Sequence, residues 1–162
     1  MVQEPRRGTL TIVLTFAAAL VLTVLPLPDW AQVYRPQWYT LVLIYWCFAL
    51  PQRVGVASGW TLGLIVDVVT GSLLGQHALS LSIIAFLSVK LHLRVRVFPL
   101  WQQSLTVLTL LALERLLSLW IIGATGRPTP SLLYWTPVLV GMLLWPWVFI
   151  ILRDLRRRFR VS

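Results

Sequence analysis

Acidic side chains are scarce: five among 162 residues, with charged residues of either sign making up only 12%. A soluble domain carries about a quarter charged residues, so a chain this poor in charge cannot cover a water-facing surface. Cysteine is nearly absent as well. The single thiol, Cys47, excludes an internal disulfide. Only two histidines accompany it, His77 and His92, and their spacing to each other and to Cys47 fits no metal-site pattern. No Ser/His/Asp arrangement and no nucleophile motif occurs. The sequence therefore offers no case for an enzyme, a metal or a cofactor.

Apolar residues are what the chain has: 58% of the total, with a mean hydropathy of +0.81. Arginine and lysine number 14 and set the net charge at +9. Such an excess suits nucleic acid only when it forms a solvated face on a soluble core. Here the basic residues lie in short segments between apolar runs, which excludes nucleic acid and points to an all-α integral membrane protein. About 20 apolar residues are needed to cross a hydrocarbon layer roughly 30 Å thick. Six runs qualify as transmembrane helices: 9–25, 37–50, 54–74, 77–93, 100–122 and 132–152. They form one polytopic membrane domain over residues 1–162, with 153–162 as a basic cytoplasmic tail. The second run, bracketed by Pro36 and Pro51, is short; it starts near Val33, tilts, or crosses only in part. No small-x-small cleavage site precedes PLPDW, and five more runs follow, so the first helix is expected to stay uncleaved.

Orientation follows from the basic residues. With the N-terminus in the cytoplasm, Arg6, Arg7, Arg53, Lys90, Arg94, Arg96, Arg153, Arg156, Arg157, Arg158 and Arg160 all lie inside. Only Arg35 and Arg127 fall in outer loops. This is a strong positive-inside bias, and it places both termini in the cytoplasm. Tryptophans follow the same map as interfacial belts. Trp30, Trp38, Trp120 and Trp135 fall at outer ends, Trp46, Trp101, Trp145 and Trp147 at inner ends, and Trp60 slightly deeper.

Three charges interrupt the apolar runs: Asp67, Glu114 and Arg115. Placing a charge at the bilayer centre costs at least about 2.5–3.5 kcal/mol, so such residues face protein or water and are functional-site candidates. Asp67 and Arg115 lie at a common depth, about 20–22 Å from the inner end at 1.5 Å per residue. The expectation is that they pair if their helices are neighbours, while Glu114 points elsewhere. His77 and His92 read as interfacial polar residues.

Asp67 also sits in a ladder, GVASGWTLGLIVDVVTGSLLG, in which every fourth residue is Gly55, Gly59, Gly63, Asp67, Gly71 and Gly75. Small residues at this spacing let helices approach closely, which makes the five glycines a helix-packing or partner interface. Four residues advance about 400°, so the stripe drifts roughly 40° per step. The inner glycines, Gly55 to Gly63, should then meet a different neighbour from Gly71 and Gly75. Alternatively, Gly71 and Gly75 end the helix and build the outer turn with Ser72 and Gln76. At the C-terminus, Arg153, Arg156, Arg157, Arg158 and Arg160 suit anionic lipid or an acidic cytoplasmic partner. The outer segment PLPDWAQVYRPQW suits a rigid extracytoplasmic contact.

Several stretches resemble one family. YRPQW at Tyr34–Trp38, LVLIYW at Leu41–Trp46, ALPQRVGV at Ala49–Val56, the glycine ladder, LWQQ at Leu100–Gln103 and LWPW at Leu144–Trp147 are similar to rod shape-determining proteins of the MreD family, in its Gram-negative form. The resemblance runs over most of the chain. It implies a non-catalytic inner-membrane subunit of the cell-wall elongation machinery. Its partners would be MreC, the actin-like MreB, the glycosyltransferase RodA and a class B penicillin-binding transpeptidase. The family in turn looks like the six-helix S components of energy-coupling-factor vitamin transporters. That likeness keeps a small-molecule or lipid-binding reading open, which an outward-open pocket lined by Asp67 and Glu114 would favour. Arg115 is not part of the family's pattern.

Overall fold

The computed structural model describes residues 4–26, 28–32, 34–71, 74–126 and 135–159. Among them the secondary structure is entirely helical: α1 Glu4–Val24, α2 Asp29–Gln32, α3 Trp38–Ala49, α4 Val56–Thr70, α5 Gln76–Arg96, α6 Leu100–Ala124 and α7 Thr136–Arg158. Six of these correspond to the six apolar runs, and α2 is a single added turn. Three, α5, α6 and α7, are long and apolar enough to cross a membrane.

Length separates α3 and α4 from those three. At 1.5 Å per residue α3 is about 18 Å long and α4 about 22 Å, short of a layer roughly 30 Å thick. The reason differs for each. Residues 34–37 are non-helical, so α3 does not extend back toward Val33 and begins after Pro36. It is the centre of the bundle, packed against α1, α5, α6 and α7, and every residue from Tyr39 to Leu50 is buried. A helix that is apolar on all sides belongs in an interior, and one shielded by other helices need not match the lipid thickness itself. In α4, Gly71 takes φ +70° and closes the helix four residues early, its N–H reaching the Asp67 carbonyl.

Proline and arginine set further boundaries. Pro99 precedes α6, and its carbonyl accepts from the N–H groups of Gln102 and Gln103. Pro146 sits inside α7, which nevertheless continues through Arg153, Arg156, Arg157 and Arg158. Two arginines close helix ends by binding carbonyls that the helices leave unpaired. Arg35 donates to Thr23 O and Leu25 O of α1, and Arg96 donates to Phe48 O and Ala49 O of α3.

Two tryptophans depart from the expected belts. Trp46 and Trp145 are fully buried in the core rather than at an inner interface. Each indole N–H has an interior acceptor: Trp46 Nε1 donates to Thr15 Oγ1 at 2.9 Å, and Trp145 Nε1 to Gln103 Oε1 at 3.4 Å. A satisfied N–H removes the reason for an indole to stay at the water boundary. Trp30, Trp60, Trp101, Trp120 and Trp147 are exposed.

Candidate functional site

The glycine ladder is the tightest joint in the molecule, and α4 packs chiefly on α5. The two helices run antiparallel, so each step of four along α4 meets a step back along α5. A Cβ placed on Gly55 would lie 3.9 Å from Val89 Cγ2, and one on Gly59 would lie 2.7 Å from Leu81 O and 3.0 Å from Ala85 Cβ. A Cβ on Gly63 would overlap the backbone of His77 and Ala78. The inner three glycines thus share one neighbour, and Gly59 and Gly63 are packed within the chain. Beyond them the expected alternative holds. Gly71 and Gly75, at φ +70° and +99°, belong to the turn and would meet nothing within 4 Å. Ser72 lies outside the described residues, and Gln76 opens α5.

Asp67 occupies the next rung, where α5 begins, and this explains an acid in an apolar run. The first N–H groups of a helix have no partner within it, and an N-cap side chain normally supplies one. At the N-cap of α5 stands Gly75, which has no side chain to give. Asp67 supplies the carboxylate from the neighbouring helix. Oδ2 accepts from Gly75 N at 2.9 Å, and Oδ1 accepts from His77 N at 2.9 Å. The positive end of the helix dipole stabilises the negative charge there. His77 adds a third bond, Nδ1 to Oδ1 at 2.7 Å. A carboxylate can only accept, which puts the imidazole proton on Nδ1. Tyr39 packs edge-on against the same imidazole, 5.9 Å between ring centres.

The expected Asp67–Arg115 pair required α4 and α6 to be neighbours. They do not form a packed pair; α5 packs against both. Among the described residues, His77 forms an ion pair with Asp67. Depth within helices does not report the turn that brings residue 77 back to residue 67, so from depth His77 reads only as an interfacial polar residue. An acid ten residues before a histidine, with glycines between, was the available signal.

Glu114 is 1% exposed and accepts from Ser118 Oγ at 3.1 Å, one turn along α6. Arg115, one residue on, is only half-buried. His92 bonds the Val89 carbonyl in its own helix. Neither Asp67 nor Glu114 lines any of three cavities in the molecule: an inner one among α3, α5, α6 and α7, one between α1 and α4, and one between α1 and α7. Among the described residues, no group of three or more His, Cys, Asp or Glu could hold a metal ion. Arg153, Arg156 and Arg157 line the inner cavity, Arg158 is exposed, and Arg160 lies outside the described residues.

An all-helical bundle with three long apolar helices, a charge buried as a helix cap and a core of apolar side chains defines an all-α membrane protein. Comparison with known proteins narrows this class. Residues 6–155 match the rod shape-determining protein MreD family. The rod shape-determining protein MreD of Haemophilus influenzae is 37% identical over 154 residues, covering 93% of each chain. The chain belongs to the MreD family of rod shape-determining proteins. No solved structure matches it.

Proposed function

We propose that this chain is a six-span inner-membrane subunit of the cell-wall elongation machinery, with both termini in the cytoplasm and no reaction of its own. It would hold MreC in place and, through it, MreB, RodA and a class B penicillin-binding transpeptidase. Family membership supports the setting. The observation that carries the mechanical reading is the buried central helix. All of Tyr39–Leu50 is buried in the bundle centre, and the Asp67 carboxylate is occupied by the α5 N-terminus. A vitamin-carrier reading needs those groups on an open pocket, and neither Asp67 nor Glu114 lines one of the three cavities.

In this reading the glycine ladder shapes the subunit and leaves partner contact to other faces. The test is capture of MreC from membranes by the tagged chain, together with restoration of rod shape in cells lacking their own copy. Capture with restored rods is expected. Restored rods with no MreC captured would remove the scaffold reading.

A further inference from the structure

The inner cavity carries chemistry that neither the bundle nor the scaffold reading uses. It encloses about 410 Å³ where the inner ends of α3, α5, α6 and α7 meet. Four guanidinium groups line it, from Arg96, Arg153, Arg156 and Arg157. The last three follow the i, i+3, i+4 spacing that places side chains on one face of a helix. Among the described residues no carboxylate lies within 4.0 Å of any of the four.

The arginines are held in distinct ways. Arg96 is anchored on the α3 carbonyls, 2.9 Å from Ala49 O. Arg153 lies over the Phe149 ring at 5.6 Å, and its Nε is buried with no hydrogen-bond partner. Arg156 shares the cavity lining with Tyr45. Gathering four like charges around one cleft is unfavourable, because they repel one another. An anion in the cleft reverses that sign. Guanidinium forks match phosphate oxygens in paired hydrogen bonds.

We propose that this cleft binds the phosphate of an anionic glycerophospholipid. Position favours a lipid over a soluble phosphate. On the flank of α7 beside the arginines, Ile150 is exposed to the surroundings, a surface along which an acyl chain can run. Basic pockets between helices on the cytoplasmic side are suited to acidic headgroups, and this one lies at the end that the positive-inside bias places in the cytoplasm.

The experiment compares the purified full chain in detergent with dioleoyl phosphatidylglycerol, dioleoyl phosphatidylcholine and inorganic phosphate, read by native mass spectrometry. Wild type should retain phosphatidylglycerol in preference to phosphatidylcholine. The Arg153→Gln/Arg156→Gln double variant should bind it at least about tenfold more weakly, as expected for lost charge-assisted bonds. Arg94→Gln, an exposed position on α5 outside the cavity, should leave binding unchanged. If the double variant does not fold, Arg153→Lys/Arg156→Lys keeps the charge without the fork and should bind at intermediate strength. Equal binding by wild type and the folded double variant overturns the site, as does an equal loss in Arg94→Gln. Arginine-dependent binding of inorganic phosphate without phosphatidylglycerol overturns the lipid source.

Discussion

The Asp67 carboxylate accepts two backbone N–H groups and one imidazole N–H, and that count decides how the position responds to change. Asp67→Asn keeps one acceptor oxygen and turns the other into a donor facing an N–H. We expect it to lower stability by about 1–3 kcal/mol, the range for a buried polar group left unpaired. Combined with His77→Ala the losses should be less than additive by about 0.5–3 kcal/mol, measured by thermal unfolding in detergent. Exchanging Asp67 and Arg115 should give no rescue. Glycines should divide by surroundings. Gly63→Ala forces two backbones apart and should cost about 1–3 kcal/mol, as over-packing does. Gly123→Ala, in helix α6 with nothing within 4 Å, should gain about 0.5–1 kcal/mol. The presence of the acid and the ladder was legible in the sequence. Their shared partner was not, because the four-residue repeat reports spacing along α4 and says nothing of where α5 returns.

At the scale of the element, α3 shows what composition can carry. Its run WYTLVLIYWCFA has no polar face, which is the pattern of an interior helix, yet span length alone made it look like a deficient crossing. Burial on all sides resolves this, and it sets a contrast between helices. Ile44→Ala removes packing at a fully buried site and should cost about 2–5 kcal/mol. Leu116→Ala, at a half-exposed position on α6, should stay within about 0.5 kcal/mol, since acyl chains or detergent replace what is lost. Melting temperatures of the two variants check this. The start of α6 after Pro99 was legible, whereas the end of α4 at Gly71 appeared only as the alternative to a span running to residue 74. The length of α7 was not, because Arg153, Arg156 and Arg157 read as a tail when charge is taken to end a helix. Arg156 and Arg157 fall with Arg158 in the last turn of α7, where basic side chains interact favourably with the helix dipole.

For the whole molecule, the features that looked most like a docking surface are closed within the chain. Gly59 and Gly63 face α5, and Asp67 caps it. The central claim is that this joint builds the subunit while partners bind elsewhere. It is tested by locking the joint. With Cys47→Ser removing the native thiol, Gly55→Cys and Val89→Cys place two thiols in contact between α4 and α5, where a Cβ on residue 55 lies 3.9 Å from Val89 Cγ2. The measurement is capture of MreC by the oxidised, fully cross-linked chain relative to the reduced one. We predict an intramolecular cross-link and equal capture in both states. A cross-link that forms in a folded chain but abolishes capture, or a failure of these two cysteines to join within one chain, would contradict it.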